Sequence, residues 1–319
     1  MDAPSSPVFE YLRISVTDRC NLRCVYCMPP EGVPKLDHAR ILRYETILDV
    51  VDAAIAEGVH RVRITGGEPL VRRGVVDLVR QLAGRPGLDE VALTTNGVLL
   101  AEFAGPLKEA GLRRVNISLD SLRPDRFTRI TRLGRIEDVL AGVKAAITHG
   151  LAPVKINVVI IPGENDDEVE DFGKFAYEHP VVVRFIERMP FQADGPDVPF
   201  LSQEQVLARL SAFLTLERQA PAPGGGPAEV YRIAGGAGQI GFISSRTHPF
   251  CRSCTRLRLT AAGFLMPCLD SPEGVQVAGL SVDALRQAIR DLGRHKRAHG
   301  KTCARFEGAR CISLSDIGG

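Results

Sequence analysis

An α/β fold built on a mainly parallel sheet is the class this sequence predicts, and three observations carry it. Short apolar stretches and segments of helical spacing alternate from Tyr11 to Ile186, the rhythm of strands wound by right-handed crossovers. The length, 319 residues, allows one large barrel-type core with an extension and requires no second independent fold. Residues suited to chemistry fall at or just beyond predicted strand ends: Cys20, Gly67, Thr94, Ser118 and Glu187. In a barrel that is the face on which active sites are built. Periodicity alone fits an open doubly wound sheet and a curved, incomplete barrel equally.

The elements follow in order. Tyr11 to Val16 alternates as a strand does. Tyr44 to Glu57 has helical apolar spacing at Ile47, Leu48, Val51, Ala54 and Ile55, and stops at Gly58. Arg61 to Thr65 is a strand that runs into Gly66-Gly67-Glu68-Pro69. The unit then recurs: a helix over 75–83, a strand over 90–94, a helix over 101–110, a strand over 114–118, a helix over 136–149, a strand over 153–161, a helix over 167–178 and a strand over 181–186. From Pro190 the rhythm breaks into a loop over 191–199, a helix over 203–214 and a turn-forming linker over 221–227. Two short antiparallel strands, over 228–233 and 239–243, follow. The basic segment from Leu285 to Arg297 reads as a helix with a solvated face.

A net charge of +2 gives no general case for binding nucleic acid or membrane, so any anion site must be built locally. No run approaches the roughly 18 apolar residues needed to span a bilayer. Residues 1–8 are polar and Pro-rich, without the apolar stretch of a secretion signal. The eight cysteines are therefore expected to be reduced and metal-binding, in a cytoplasmic protein.

Three of them, Cys20, Cys24 and Cys27, are spaced Cys-x3-Cys-x2-Cys directly after the first strand. Three thiolates can hold three irons of a cubane, leaving the fourth iron open, whereas ferredoxins supply four. A zinc knuckle is the plainer alternative, but structural zinc sites close with four ligands, and the nearest histidine, His38, lies beyond a Pro- and Gly-containing loop. A second set, Cys251, Cys254 and Cys268, is spaced Cys-x2-Cys-x13-Cys around Arg256 and Arg258. Three ligands beside fixed positive charge suit an anionic substrate. His248, three residues before Cys251, keeps a closed zinc site open as the alternative.

The first motif, followed by a strand and Gly-Gly-Glu-Pro, resembles that of the radical S-adenosylmethionine enzymes. The paired triplets, Arg256-Leu257-Arg258-Leu259-Thr260 with Gly263, and the terminal Gly318-Gly319 narrow the resemblance to the GTP 3′,8-cyclases, which open molybdenum cofactor biosynthesis. The resemblance extends from about Leu12 to the last residue. It implies an incomplete (β/α)6 barrel over 1–215, then a C-terminal region over 216–319 that carries a second iron–sulfur cluster. It also implies two [4Fe-4S] clusters, S-adenosylmethionine as cofactor and GTP as substrate, a lyase reaction begun by a 5′-deoxyadenosyl radical that takes hydrogen from the ribose 3′ carbon.

Residue by residue, the resemblance assigns the radical-generating cluster to Cys20, Cys24 and Cys27, and the second cluster to Cys251, Cys254 and Cys268. The cofactor falls to Tyr26, Gly67, Ser118, Arg184 and Met189, and GTP to Arg13, Arg63, Thr94, Lys155, Arg256, Leu257 and Arg258. Planar guanidinium forks suit phosphate oxygens. The tail, Gly318 and Gly319, is expected to thread toward the active site. Implied partners are an external electron donor and, as pathway successor, cyclic pyranopterin monophosphate synthase, with a monomer or homodimer and neither nucleic acid nor membrane. A peptide-modifying radical enzyme and a zinc-stabilised binding protein are the competing classes. Cys303 and Cys311 lie outside both triplets.

Overall fold

The computed structural model describes residues 8–189, 198–220, 226–269, 271 and 274–299. Six β/α steps form its first half. β1 (Tyr11–Ser15) leads through the cysteine loop to α1 (Tyr44–Ala56) and β2 (Arg61–Thr65), then α2 (Val75–Ala83) and β3 (Glu90–Thr95). α3 (Leu100–Glu109), β4 (Arg114–Ser118), α4 (Pro124–Thr131), α5 (Ile136–Thr148) and β5 (Val154–Ile160) continue the series, which α6 (Val169–Glu178) and β6 (Val181–Glu187) close. The second half holds α7 (Gln203–Ser211), β7 (Leu216–Arg218), β8 (Glu229–Ile233), β9 (Gln239–Ile243), β10 (Arg256–Leu259), β11 (Phe264–Met266), β12 (Val275–Gln276) and α8 (Val282–His299).

The twelve strands among the described residues belong to one sheet, in the order β12-β11-β10-β1-β2-β3-β4-β5-β6-β9-β8-β7. The pairs from β1 to β6 are parallel and consecutive, as in a barrel. β1 and β6 do not meet. Each takes a parallel partner from the second half instead, β10 beside β1 and β9 beside β6, so the barrel stays incomplete. Strands from either side of residue 216 thus share a single sheet.

The two faces of the strands differ in chemistry. Leu12, Ile14, Val62, Ile64, Ile117, Ile156 and Val183 face the helices and are fully buried. Removing each such side chain from water contributes about 1.5–3 kcal/mol. The intervening residues, among them Arg13, Arg63, Asn116, Lys155, Asn157 and Arg184, lie on the inner face, since side chains alternate along a strand. Parallel sheets are usually apolar on both faces. Here the inner face is polar.

The predicted strands and helices stand within three residues of their expected ends, and the expected antiparallel strands are β8 and β9. α4 was not expected. It is short and polar, with only Phe127, Ile130 and Thr131 buried, so its periodicity is faint. β7, β10, β11 and β12 also went unpredicted, being two to four residues long. α8 does not present a solvated face throughout: Leu285, Ile289 and Leu292 are buried, and Arg286 and Arg290 pair with Glu57 at 2.9 and 2.7 Å. Among the described residues no helix is long and apolar enough to cross a membrane.

Candidate active site

The first cysteine loop begins five residues past β1 and is held by neighbours on both sides. Arg23 N and Val25 N donate to Thr131 O and Ile130 O, at 3.0 and 2.9 Å, so the end of α4 carries the loop. Arg132 donates to Arg23 O at 2.9 Å and Met28 O at 2.8 Å, bracketing Cys24 and Cys27. It does so from φ 64°, a backbone region that a non-glycine residue seldom adopts. Leu22 N and Asn96 Nδ2 approach Cys20 Sγ at 3.4 and 3.8 Å.

The three thiols are not disulfide-bonded, and they feel one another. Burial pushes the Cys20 thiol up to about 11. Burial, with Asp120, Cys27 and Cys20 nearby, also raises Cys24 well above its ordinary range. Among the described residues no three His, Cys, Asp or Glu side chains close around a single metal ion. Three neighbouring thiols, with two N–H groups aimed at the Cys20 sulfur, suit an iron–sulfur cluster, whose irons take thiolates. Tyr26, between two of the cysteines, donates its hydroxyl to Asp120 at 2.6 Å, and Asp120 also accepts from Val159 N at 2.8 Å. Burial raises Asp120 to about 6.

Beside this loop the Gly-Gly-Glu-Pro turn leaves β2. Gly67 N donates to Thr17 O at 2.7 Å, and a Cβ on Gly67 would stand 2.4 Å from Arg19 O. Backbone therefore meets backbone here, and only glycine fits. Glu68 is fully buried and accepts from Leu70 N (3.0 Å), Thr95 Oγ1 (2.7 Å) and Asn96 N (2.7 Å). Burial outweighs those bonds and lifts its carboxyl to about 7. Ser118 closes β4 opposite Asn157, and Met189 follows β6 by two residues.

Behind the loop, register gathers the cations. Arg258, Arg13 and Arg63 stand side by side on β10, β1 and β2. Lys155 sits opposite Asn116, and Arg184 opposite Asn157, to which it donates at 2.5 Å. Gly241 makes room for Arg184, because a Cβ there would lie 3.0 Å from Arg184 Cγ. Arg184, assigned to the cofactor from the sequence, therefore stands among the GTP-assigned cations.

The electrostatics of this group are unfavourable when no anion is bound. Burial, then Arg184, Arg114 and Arg63, depress Lys155 to about 7. Burial, then Arg63 and Arg114, depress Arg184 to about 9. Burial and the neighbouring Arg258 and Arg63 lower Arg13 as well. Arg114 is the exception, its guanidinium gripping Glu90 at 2.8 and 2.6 Å. Arg63 Nε, Arg184 Nε and Thr94 Oγ1 are buried without a hydrogen-bond partner among the described residues. Such groups are costly unless a ligand satisfies them. Leu257 differs from its neighbours: its side chain is fully buried in the helix-side core, leaving only its backbone toward any ligand.

The second cysteine set stands at the other end of the strands from the first. β10 runs parallel to β1 with Arg256 beside Tyr11, so Cys251 and Cys254 precede the sheet at the N-terminal end of β1. β11 returns antiparallel, bringing Cys268 to that same end. Ser15 lies four residues beyond Tyr11, so about 13 Å of strand runs between the two ends. The cations lie between them. Burial opposes ionisation of Cys254, but Arg256 and Lys296 hold its thiol below the ordinary range. His248, the alternative fourth ligand, contacts Glu204 at 2.7 Å.

Glu187, noted from its position at a strand end, has an anchoring role. Its carboxylate accepts from Gln203 N, Arg246 N, Thr247 N and Thr247 Oγ1 at 3.3, 2.8, 3.0 and 2.6 Å, fixing the approach to Cys251. Sequence reasoning did not find Arg132, Asn116, Asp120 or Lys296. The inner-face alternation on β4 carried a signal for Asn116; nothing local marked the other three. Gly318, Gly319, Cys303, Cys311 and most of the 221–227 linker lie outside the described residues.

Fold and site together are those of a radical S-adenosylmethionine enzyme, and residues 14–176 match the model of the Radical SAM superfamily. Residues 181–301 match Molybdenum Cofactor Synthesis C. A solved structure of SuiB from Streptococcus suis, bound to S-adenosylmethionine, superposes with a TM-score of 0.58 over 86% of this chain and 65% of that one, at 15% identity, which shows the shared fold. The chain is 51% identical over 273 residues to the GTP 3′,8-cyclase of Heliobacterium modesticaldum, covering 84% of this chain and 83% of that protein. It is 52% identical over 271 residues to that of Moorella thermoacetica, covering 85% and 84%. The chain belongs to the GTP 3′,8-cyclase family.

Proposed function

We propose that the protein is a lyase that converts GTP to (8S)-3′,8-cyclo-7,8-dihydroguanosine 5′-triphosphate in molybdenum cofactor biosynthesis. One observation carries this reading: a row of buried, mutually repelling cations lies inside a barrel between two cysteine sets at opposite ends of the strands. A triphosphate supplies negative charge to that row, in a nucleotide whose base lies toward one set and whose ribose faces the other.

When bound, a cluster at Cys20, Cys24 and Cys27 with S-adenosylmethionine supplies the radical that takes the ribose 3′ hydrogen. Gly67 offers backbone to the cofactor at close range, and Tyr26, fixed by Asp120, walls its site together with Ser118 and Met189. Arg13, Arg63, Arg258, Lys155 and Arg184 bind and orient phosphate oxygens, with Thr94 as a neutral donor. Holding the sugar carbon and the purine in one reacting geometry contributes a large part of the rate. Cys251, Cys254 and Cys268 would hold a second [4Fe-4S] cluster, which would supply a binding point for the guanine, with Arg256 beside it. The division of labour is a barrel over 1–215 and a second-cluster region over 216–319, whose Gly318-Gly319 tail reaches the site. The reaction calls for an external electron donor and a cytoplasmic, reducing setting. Cyclic pyranopterin monophosphate synthase then takes the product.

Anaerobically reconstituted protein should contain about eight irons per chain. With reductant, S-adenosylmethionine and GTP it should form 5′-deoxyadenosine and a cyclic product of GTP mass in equal amounts. Arg256→Ala or Arg258→Ala should weaken GTP binding yet leave cofactor cleavage competence. Deoxyadenosine without a nucleotide product would favour a peptide-modifying enzyme; zinc in place of iron would favour a binding protein.

A further inference from the structure

α8 comes from the far end of the described chain, yet one of its side chains enters the second cysteine site. Lys296 Nζ donates to Arg256 O at 2.8 Å and to Pro267 O at 2.9 Å, and approaches Cys254 Sγ at 3.6 Å. An ammonium has three donors, and these three acceptors engage all of them. The same nitrogen lies 5.1 Å from the centre of the buried Phe9 ring. Arg256 follows Cys254 by two residues and Pro267 precedes Cys268 by one, so a single amine ties together the segments that carry two of the cysteines.

Lysine is seldom drawn into a protein interior, because its charge gives up water. The cost here is met by two carbonyls, a sulfur and a ring face. The helix that presents Lys296 is docked along its length: Leu285, Ile289 and Leu292 are buried, and Arg286 and Arg290 both reach Glu57 at the end of α1. Gly293 allows this approach, since a Cβ there would already touch Val8 and Phe9 at 3.3 to 3.5 Å.

We propose that Lys296 is a positioning residue for the second cysteine site, holding Cys254 and Cys268 at their working separation and setting a fixed positive charge against the sulfur atoms. The inference rests on the second iron–sulfur cluster proposed above. A cation at the sulfurs favours the more negative, reduced form of a cluster, because hydrogen bonds and charge near the thiolates set its potential.

The test uses the full chain carrying Cys24→Ala, so that the second cluster is read alone. It is reconstituted with iron and sulfide without oxygen, and compared with the same chain carrying Lys296→Met, Lys296→Arg or Lys296→Gln. The parent should hold about four irons. Lys296→Met should surrender iron to a chelator at least tenfold faster. Its reduced-to-oxidised ratio at a fixed potential should fall about tenfold, a shift of about 59 mV for a one-electron couple. Lys296→Arg should recover most of that potential. A Lys296→Met protein with the parent's potential and iron release overturns the proposal. Should Lys296→Met not fold, Lys296→Gln and Lys296→Arg decide, since both keep donors and only Gln loses charge: equal potentials overturn it. A parent without iron overturns the second-cluster reading itself.

Discussion

Replacing Lys155 with methionine should make the empty protein more stable and the nucleotide complex weaker. The ammonium stands in the barrel with Arg184, Arg114 and Arg63 around it, and burial with that repulsion moves it from 10.5 to about 7. At about 1.4 kcal/mol for each factor of ten, the charged form is disfavoured by roughly 5 kcal/mol at most, and water entering the barrel screens part of it. Methionine keeps the hydrocarbon stem and removes the charge. A gain of about 2 kcal/mol is expected for Lys155→Met at pH 7, read from urea unfolding of the metal-free chain. The unfolded chain binds the extra proton between pH 7 and 10.5, so the parent's stability rises with pH through that window. The gap between the proteins should therefore be widest at and below pH 7 and close toward pH 10.5. GTP reverses the sign: losing a hydrogen bond to a charged group costs about 1.5–3 kcal/mol, roughly 10- to 150-fold in affinity by equilibrium dialysis. Binding to the parent at pH 8 should also take up a proton that the variant does not, measurable by calorimetry in buffers of different ionisation enthalpy. A variant that is no more stable and binds GTP like the parent would refute the anion-site argument.

Three further outcomes follow from the same geometry. Gly67→Ala drives a methyl against Arg19 O, and should cost about 1–3 kcal/mol of stability and weaken S-adenosylmethionine binding at least tenfold by dialysis. Arg132→Met removes both bonds that bracket Cys24 and Cys27, so iron of the first cluster should pass to a chelator several-fold faster. Arg132→Gly, freed from its φ of 64°, should lose iron as fast but unfold no more easily than Arg132→Met. Glu187→Gln loses an acceptor shared by four donors, and should lower stability by about 1–3 kcal/mol and reduce iron retention at Cys251, Cys254 and Cys268.

Much of this protein is determined by patterns that lie within a few residues of one another. Alternation over Tyr11 to Ser15, Arg61 to Thr65 and Val154 to Ile160 predicts strands with one apolar and one polar face, because successive side chains point to opposite sides. The spacing of Cys20, Cys24 and Cys27 after such a strand, and the Gly66-Gly67-Glu68-Pro69 run that follows β2, carry their signal in the same local way. What depends on partners far along the chain was decided only in three dimensions. β10 pairs with a strand about 245 residues earlier, and that register sets Arg258 beside Arg13 and sends Cys251, Cys254 and Cys268 to the opposite end from the first set. α8, which reads as a basic surface helix, turns Lys296 inward because its apolar stripe docks against α1 and Phe9. Periodicity specifies which side of an element is apolar. Which distant element covers that side, and in what register, follows from packing the whole chain at once.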